Sequence, residues 1–508
     1  MYTKSILVKR LTSLAIITVL VGSGSLLQVK PVQAVPIMLL ADFLGDDPTK
    51  SACTTAIDDC SLRGAIMHVN ADPTVPKPDY YIHLAAATYT LMNHGANEDG
   101  NVTGDLDIQY PGGSVFIEGD SAGVSIIDGD LADRVLDLHN GTLMLSDLTV
   151  RNGNSSALVQ PGGGIYAHPA TSLSLYEVFI IDNTAGSDGG GISIDQAELS
   201  MYLCDIHTIQ AGSGGGLSFL GSNSGLFGVS FFGNTAATGG SGGGLATSAM
   251  GTTDIYNSAF FANKAEFGGA IANGTDHTLN IYDSAILDNQ AYGGAGLTSL
   301  GTIHLERAHV SGNIAEEGGG GLDLDGNFVL IDVTIANNSS HGPSAAAVHK
   351  LFDTPTVGVM DHVTITGNTS TGGRTSLNVH SGTVSLMNSI INATDGNAAC
   401  DYPNINSILT SADYNIASDA SCNLTQAHDH PATDPQISAP GGYGFMVIAA
   451  PLAGSIAIDN ANPSFLPDDI DQRGALRSDG DLNGSVLPDI GAAEFLTAKQ
   501  YLPVIRNP

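Results

Sequence analysis

The densest run of potential metal ligands lies near the C-terminal end, in Asp479-Gly480-Asp481-Leu482-Asn483-Gly484. Oxygen-bearing side chains at alternate positions, closed by glycine, are typical of calcium loops, in which hard oxygen ligands converge on one cation. The twelfth position, where an EF-hand needs glutamate, holds Ile490 instead. A plain acidic turn is therefore the alternative interpretation. The predicted calcium site consists of Asp479, Asp481, Asn483 and Asp489.

Two smaller groups could also hold a metal. Asp99, Asp105 and Asp107 form a second acidic group toward the N-terminal end, and His428-Asp429-His430 is a compact pair of imidazoles. Without further ligands nearby, an HxH sequence is as readily an ordinary loop. Calcium is the one cofactor that the sequence suggests, and nothing in the pattern makes it a requirement.

Catalysis on polysaccharides would need charged groups that converge. A lyase uses a basic residue together with carboxylates that hold Ca²⁺, and a hydrolase uses carboxylates on one face. The cations between residues 135 and 395 are scattered: Arg151, Lys264, Arg307, Lys350 and Arg374. The carboxylates that could contribute are Asp182, Asp188, Asp205, Asp288 and Asp332. The cations follow no fixed position in the repeat, and solvated turn positions explain Asp182 and Asp288 at least as well. No catalytic residue is therefore assigned, and an enzyme remains the alternative to a binding protein.

The elements that position these residues recur with a period of about 26 residues. A glycine-rich or alanine-rich stop precedes a branched apolar residue, as in Gly189-Gly190-Gly191-Ile192. The apolar residues of successive copies are Ile165, Ile192, Leu217, Leu245, Ile271, Leu297, Leu322 and Val348. Short runs of alternating apolar residues between such stops predict strands and turns rather than helices. A regular period of this length is typical of a solenoid.

Asparagine marks a second position in each repeat, after a short apolar run such as Phe231-Phe232-Gly233. Asparagine tolerates the left-handed turn conformation, and stacked copies can hydrogen-bond amide to amide. The copy around Cys204 lacks the asparagine, so we expect a gap there. The predicted fold class is all-β, a right-handed parallel β-helix of the pectate-lyase-like kind with capped ends. Its predicted asparagine ladder comprises Asn152, Asn183, Asn234, Asn263, Asn289, Asn313, Asn337 and Asn368.

The N-terminal segment predicts export. Residues 1–34 begin with basic residues, continue through an apolar run and end in Val32-Gln33-Ala34, which is the order of a secretory signal peptide. An N-terminal transmembrane helix is the alternative, although Gly22-Ser23-Gly24-Ser25 interrupts the run. We expect a secreted or cell-surface protein with no membrane span after signal removal. In such an oxidising compartment, two disulfides are predicted, Cys53–Cys60 and Cys400–Cys422, with Cys204 as a buried thiol.

The charge balance restricts the partners. The net charge is −34, and removal of the four cations in residues 1–34 would leave −38. So acidic a surface repels nucleic acid, anionic membranes and polyanionic sugars that no cation bridges. Sixty-three glycines and the absence of tryptophan argue against a bulky core, while 42% hydrophobic residues argue against disorder.

Both ends of the chain are similar to domains of exported bacterial proteins. Residues 53–72, with Cys60-Ser61-Leu62-Arg63-Gly64-Ala65 at their centre, resemble the CSLREA domain, with Gly64 where the motif has glutamate. Residues 434–495, with Asp471-Gln472-Arg473-Gly474 and Asp489-Ile490-Gly491-Ala492-Ala493-Glu494-Phe495, are similar to the choice-of-anchor Q domain. The middle repeats have a shorter likeness to polymorphic outer-membrane proteins, as in Phe261-Ala262-Asn263. These resemblances imply an exported β-helix and specify no reaction.

The predicted organisation has five parts. We expect a rigid binding or adhesive module directed at extracellular polysaccharide or cell-envelope material. A polysaccharide lyase or glycoside hydrolase is the alternative. The parts are a signal peptide (1–34), a CSLREA-like cap (35–80), β-helix repeats (81–395), a choice-of-anchor-Q-like region (396–495) and a tail (496–508).

Overall fold

Parallel strands make up almost all the regular structure in the computed structural model of the chain. Residues 36–508 form one unit and residues 1–35 another. The predicted signal peptide, residues 1–34, lies outside the described residues, as does most of the tail. The structure describes residues 35–95, 98–342, 344–350, 356–373, 376–402, 406–443, 446–463, 470–477 and 487–496.

The longest column of strands, here called sheet 1, runs through the whole solenoid. Each strand pairs in parallel with the equivalent strand of the next turn, as Ser172–Tyr176 does with Glu198–Tyr202. The strands of sheet 1 are Ile37–Ala41, Tyr80–Leu84, Leu106–Gly119, Leu136–Ser146, Ser172–Tyr176, Glu198–Tyr202, Asn223–Phe227, Gly251–Tyr256, His277–Tyr282, Thr302–Glu306, Phe328–Ile331, Val357–Asp361, Gly382–Met387 and Ser407–Ser411.

A second column, sheet 2, is continuous with sheet 1 because the long strand Leu136–Ser146 pairs both with Ile165–Ala167, the first strand of sheet 2, and with Ser172–Tyr176 of sheet 1. Its strands open on the apolar residues that set the period of the repeat. They are Ile165–Ala167, Ile192–Asp195, Leu217–Leu220, Leu245–Ser248, Ile271–Asn273, Leu297–Ser299, Leu322–Leu324, Val348–Lys350, Leu377–Val379 and Cys400–Asp401.

Sheet 3 closes the coil with 13 strands. Its strands are Thr88–Thr90, Ile126–Asp128, Thr149–Arg151, Phe179–Ile181, Asp205–His207, Ser230–Phe232, Ala259–Phe261, Ala285–Leu287, His309–Ser311, Thr334–Ala336, Thr364–Thr366, Ile390–Asn392 and Ile416–Ala417. Short parallel pairs follow some of them: Gln210–Ala211 with Thr235–Ala236, and the column Gln290–Ala291, Ile314–Ala315, Ser339–Ser340, Thr369–Ser370. Gly441–Tyr443 and Met446–Ile448 form an antiparallel hairpin.

The predicted fold class is confirmed. Ile192 pairs with Ile165 on one side and Leu217 on the other, so the repeat seen in the sequence is the vertical register of sheet 2. Within strands the side chains alternate, and those that face inward form one continuous apolar core along the solenoid. The parallel strands extend beyond the predicted bounds 81–395, from Ile37 to Ala417.

The glycine stops have a steric cause. In the copy before Ile192, Gly189 has a φ of 64°, which disfavours residues with a Cβ. A Cβ on Gly190 would lie 2.3 Å from the carbonyl oxygen of Gln210, and one on Gly191 2.6 Å from that of Gly216. The backbones of successive turns therefore approach too closely for any side chain.

A ladder of buried asparagines follows sheet 3. The backbone amide and Nδ2 of Asn263 both donate to Oδ1 of Asn289, at 2.8 and 3.1 Å, and Nδ2 also donates to the carbonyl of Phe231. The same pattern of hydrogen bonds links Asn234, Asn263, Asn289, Asn313, Asn338 and Asn368. Each side-chain amide thus satisfies a backbone carbonyl and a backbone N–H of the preceding turn and donates to the asparagine side chain of the next turn.

Two predicted ladder positions are wrong. Asn338, not Asn337, occupies the ladder, because Asn337 has a φ of 56° and forms the turn before it. Asn152 also has a positive φ and donates to Asp128, while the next residue, Gly153, donates its amide to Asn183.

The expected gap is present. Buried Ile209 occupies the ladder position between Asn183 and Asn234, and Oδ1 of Asn234 is buried with no hydrogen-bond partner in the part of the chain that the structure describes.

The N-terminal end is covered by the α-helix Leu62–Asn70. Ser61 caps it by accepting a hydrogen bond from the amide of Gly64 at 2.9 Å, and its apolar face joins the core. A Cβ on Gly64 would lie 1.9 Å from the carbonyl oxygen of Lys50, which explains why a glutamate would not fit there. No helix among the described residues is long and apolar enough to span a membrane.

Both predicted disulfides are present in the structure. Cys53 is bonded to Cys60 beside the helix, and Cys400 is bonded to Cys422 near the last turns. Cys204 is a free, buried thiol, and burial raises its pKa to about 12.

Near the other end, the C-terminal region packs against the side of sheet 3 through a buried charge cluster. The Arg477 guanidinium donates to Asp332 of the solenoid and, at 2.5 Å, to Glu494. Arg473 donates to Asp471 at 2.5 Å. We call these five residues, together with Asp489, the C-terminal charge cluster.

Candidate functional site

A group of carboxylates and histidines gathers on the outer side of the first turns, where sheets 1 and 2 are continuous. Their ligand atoms fall into three overlapping groups, within each of which the atoms lie within 4.8 Å of one another. This acid–histidine cluster consists of Asp99, Asp105, Asp107, Asp137, His139 and His168.

Strand register brings the cluster together. Asp107 pairs with Asp137 across adjacent strands, and Asp137 pairs with Tyr166 on the next turn. Because alternate residues share one face of a strand, His139 lies on the same side as Asp137. His168 follows the strand Ile165–Ala167 and stacks on His139, with ring centroids 4.6 Å apart.

The loop before the strand Leu106–Gly119 covers the cluster from one side. Glu98 folds the loop by accepting backbone hydrogen bonds from Gly100, Val102 and Thr103. Buried Arg63, from the capping helix, donates to the carbonyls of Gly104 and Asp105 at 2.6 and 3.0 Å. The N-terminal cap therefore fixes the loop that carries Asp99 and Asp105.

One guanidinium partly neutralises the cluster. Arg134 donates to Asp137, and to Asp105 at 3.1 Å. Its Nε donates to the carbonyl of Gly162 at 3.0 Å, and its guanidinium lies 5.2 Å from the centre of the Tyr166 ring. Arg134 is buried and fully engaged in these contacts, so it balances charge without reaching solvent.

The carboxyl groups bear the electrostatic cost of burial. Burial raises the pKa of Asp105 to about 8, although Arg134 opposes the shift. Burial also raises the pKa of Asp107, against an opposing hydrogen bond with His139. That contact, 3.2 Å between Nε2 and Oδ1, is the main cause of a raised pKa at His139. The cluster therefore favours binding a proton or another cation.

Several buried atoms of the cluster have no hydrogen-bond partner among the described residues. They are Oδ2 of Asp107, Oδ1 of Asp137 and Nε2 of His168. The last two atoms are only 2.8 Å apart, yet their geometry is not that of a hydrogen bond. Buried polar atoms in this condition are rare and call for a ligand, a water or a strained arrangement.

A shallow groove of about 520 Å³ lies beside the cluster, across four successive turns. It follows the bends between sheets 1 and 2, a few residues beyond His139 and His168. Its walls carry small, hydroxyl and amide groups and one carboxylate: Gly112, Gly113, Ser114, Gly141, Thr142, Ala170, Thr171, Ser172, Gln196 and Glu198.

The predicted calcium loop falls largely outside the described residues, which omit Asp479, Asp481 and Asn483, so it stays a prediction. Asp489 is buried, and its two oxygens accept backbone hydrogen bonds from Asp459 and Phe495 at 2.8 and 2.5 Å. This carboxylate therefore has a structural role in the C-terminal charge cluster.

The predicted His428-Asp429-His430 pair does not converge. His428 lies 2.7 Å from Asp413 and stacks on Tyr414, while Asp429 accepts hydrogen bonds from the amides of Asn415 and Gln426. These contacts describe a hydrogen-bonded loop.

The candidate catalytic residues are dispersed. No three of the five predicted aspartates come together in the described chain. Asp182 and Asp288 lie in turns with positive φ, and Asp332 is buried against Arg477. Asp188 and Asp205 lie on other turns of the coil.

Most of the predicted cations are engaged or inaccessible. Arg151 pairs with Asp128 at 2.7 Å and Arg307 with Asp283 at 2.8 Å. Lys350 is buried in the coil and Lys264 is exposed. Arg374 lies outside the described residues.

The sequence identified part of the acid–histidine cluster and missed the rest. Asp99, Asp105 and Asp107 were predicted as an acidic group, whereas Asp137, His139 and His168 were not. The available signal was Asp137-Leu138-His139, an acid and a histidine on one face of a strand. Its neighbours could not be placed because the segment 110–113 shifts the register between turns.

The comparisons with known proteins add one likeness. No family model and no curated protein matches the chain. Among solved structures, the crystal structure of pectate lyase Pel9A is similar with a TM-score of 0.38 and 12% identity, over 91% of this chain and 97% of that one. The assignment of the β-helix rests on the strand pairing of this chain itself.

Proposed function

We propose that the protein is an exported β-helix that binds an uncharged extracellular polysaccharide along its outer face. The observation that carries this proposal is the groove beside the acid–histidine cluster. Its lining spans four turns, which at about 4.8 Å per turn is roughly 14 Å of continuous surface. That length accommodates several consecutive sugar units.

The lining chemistry suits sugar hydroxyls. Ser114, Thr142 and Ser172 offer partly exposed hydroxyl groups that both donate and accept, and Gln196 offers an amide. The glycines in the groove let a ligand approach the backbone closely. Because the turns are rigidly stacked, these groups are held in place before the ligand arrives, which lowers the entropic cost of binding.

The negative charge of the protein favours an uncharged polysaccharide as the ligand. The net charge of −34 and the carboxylate of Glu198 in the groove would both repel a polyanionic sugar. An anionic polysaccharide would need a bridging divalent cation.

Binding is a better fit than catalysis. In a lyase the base must reach the sugar, but Arg134, the guanidinium of the acid–histidine cluster, is buried and engaged. The enzyme alternative, a polysaccharide lyase or glycoside hydrolase, would have to use His139 or His168 and the carboxylates beside them.

Incubation of the mature protein with uncharged and anionic polysaccharides, with and without Ca²⁺, tests the proposal. Affinity electrophoresis measures binding, and absorbance of unsaturated sugars together with reducing ends measures cleavage. We expect retardation by an uncharged polysaccharide without cleavage. Cleavage of any member of the panel would replace the binding function with the enzymatic one.

A matched pair of variants locates the binding surface. Ser172→Tyr places a ring in the groove, whereas Thr302→Tyr places one at the first position of an equivalent strand further along sheet 1. We expect S172Y to weaken binding at least tenfold and T302Y to leave it unchanged. Equal effects of the two variants would contradict the groove as the binding surface.

A further inference from the structure

We propose that Asp137, His139 and His168 bind a divalent transition-metal ion of the Zn²⁺ class at the edge of the groove. This site is independent of polysaccharide binding, because it rests on the three side chains alone. It is distinct from the calcium loop predicted near the C-terminal end of the chain.

The three side chains come close enough to hold one ion. One ligand atom from each of Asp137, His139 and His168 lies within 4.8 Å of the others, and Nε2 of His168 lies 2.8 Å from Oδ1 of Asp137. Metal–ligand bonds of about 2.0–2.2 Å at tetrahedral angles place ligand atoms about 3.4 Å apart. Small side-chain movements would bring the three atoms to that spacing.

The orientation of the atoms points to a third partner. Oδ1 of Asp137 and Nε2 of His168 lie 2.8 Å apart but are not aligned as donor and acceptor, and within the described residues both are buried without a hydrogen-bond partner. An ion bound by both atoms would satisfy both. Asp137 is 7% exposed, so bulk water does not readily satisfy its oxygen.

The donor set selects the class of metal. Two imidazole nitrogens and one carboxylate favour Zn²⁺ and its neighbours, whereas Ca²⁺ takes six to eight oxygen ligands. The nearby all-oxygen group of Asp105, Asp107 and Asp137 does not offer a calcium site, because Arg134 already lies between Asp105 and Asp137.

The site is supported and accessible. Arg134 holds the other oxygen of Asp137, as partners beyond the ligands commonly do in metal sites. The side chains of His139 and His168 are 21% and 30% exposed, so an ion can enter from solvent. Three protein ligands leave a position for water or another oxygen.

Metal binding by the purified, EDTA-treated protein provides the test. Zn²⁺ affinity and stoichiometry are measured by calorimetry, and Co²⁺ is added as a spectroscopic probe of the ligand environment. We expect one equivalent of Zn²⁺, resistance to competition by millimolar Ca²⁺, and visible Co²⁺ bands of nitrogen–oxygen coordination.

Variants assign the ligands. We expect His139→Gln and His168→Gln each to weaken Zn²⁺ binding at least tenfold and to abolish the Co²⁺ bands. His428→Gln is the matched control, because His428 lies 2.7 Å from Asp413 without a second histidine ligand. Circular dichroism checks folding, and the more exposed His168 keeps the test available if H139Q fails to fold.

The outcomes are distinct. Wild-type binding no tighter than that of the H139Q/H168Q double variant, or complete displacement of Zn²⁺ by Ca²⁺, would overturn the site. Loss of polysaccharide binding in S172Y with Zn²⁺ binding intact would show that the groove and the metal site are separate.

Discussion

The C-terminal charge cluster and the acid–histidine cluster are both built around buried carboxylates and differ in the number of guanidinium groups that neutralise them. In the C-terminal charge cluster, Arg473 and Arg477 are interleaved with the carboxylates. In the acid–histidine cluster, Arg134 is the one guanidinium in contact with the carboxylates in the described chain, and the other partners of the carboxylates are the imidazoles of His139 and His168.

Their positions differ as well. The C-terminal charge cluster joins two parts of the chain, since Arg477 contacts Asp332, in the turn that leads into sheet 3, 145 residues away in sequence. The acid–histidine cluster joins adjacent turns and borders a groove. Burial of carboxylates alone therefore does not identify a functional site. Unpartnered atoms alone do not identify one either, because among the described residues Oδ2 of Asp332 also lacks a hydrogen-bond partner. A shortage of cations at an accessible edge is the more specific sign.

Removal of Arg477 should have the largest effect on stability. Arg477→Met leaves Asp332 and Glu494 buried without their guanidinium, and we expect a loss of about 3–5 kcal/mol. Denaturant unfolding measures it, and limited proteolysis should show release of the C-terminal region. Neutralising both acids in the same variant, with D332N and E494Q, should recover part of the loss. An unchanged denaturation midpoint in R477M would show that the ion pairs of Arg477 do not stabilise the fold.

Removal of Arg134 should cost less and should depend on metal. Arg134→Met removes the guanidinium that pairs with Asp105 and Asp137. We expect the free energy of unfolding to fall by about 2 kcal/mol, less than in R477M, because this cluster borders solvent. Saturating Zn²⁺ should raise the thermal stability of R134M more than that of R477M, because the ion also replaces the positive charge lost beside Asp137, whereas R477M gains only what an intact site gives by mass action. The absence of any Zn²⁺-dependent gain in both variants would contradict a metal site in the first turns.

The C-terminal charge cluster should make the protein less stable as pH rises from 6.5 to 8.5. Burial raises the pKa of Asp332 to about 7 and that of Glu494 to about 8, with Arg477 opposing both shifts. Carboxyl groups of the unfolded chain titrate near 4, so the folded state holds extra protons that it loses over this range. We expect these two groups to lower the free energy of unfolding by about 2 kcal/mol, and Asp105, whose pKa burial also raises to about 8, to add to the decrease in the whole protein.

The pH range is chosen to exclude the buried histidines. Burial lowers the pKa of His309 and of His362 to about 4, so their contribution to stability grows with pH only up to about 6.5. The D332N/E494Q variant should show a smaller decrease between pH 6.5 and 8.5. A wild-type protein that becomes more stable over this range would refute the assignment.

The smallest effect should come from Asp107→Asn. Oδ2 of Asp107 is buried without a hydrogen-bond partner, and burial raises its pKa. Replacing the acid with a neutral amide should leave stability unchanged or increase it by up to about 1 kcal/mol, as is common where a functional group is strained. Thermal unfolding in EDTA measures this effect, with Asp128→Asn as a control, because Asp128 is an acid paired with Arg151. A large loss in D107N alone would make Asp107 a structural residue.

The sequence predicted the solenoid because its determinants are local and repeated. Gly190 and Gly191 are required where the backbones of successive turns approach closely, Gly189 is required by its positive φ, and Ile192 fills one layer of the core. The predicted ladder is one residue too early at Asn152 and at Asn337. At Asn337 the cause is that two adjacent asparagines follow the strand, and Asn337 forms the turn while Asn338 takes the ladder position. Local pattern does not distinguish them.

The candidate site could be predicted only in part, because it depends on contacts between turns. Asp105 and Asp107 are close in sequence, but His168 reaches Asp137 only through the pairing of successive strands. The irregular segment of residues 110–113 shifts the register between the preceding turn and this one, and its length does not follow the repeat. The partners of Arg477 are likewise distant in sequence.

The gap in the asparagine ladder has a consequence for how the molecule comes apart. Each turn of a solenoid transmits cooperativity only to its neighbours. At Ile209 the ladder of asparagine side chains is interrupted. The stabilising coupling between neighbouring turns should therefore be weakest there, between the turns that carry the acid–histidine cluster and those that begin at Asn234. Under tension the coil should divide there, and amide exchange should show two blocks of protection on either side of Cys204.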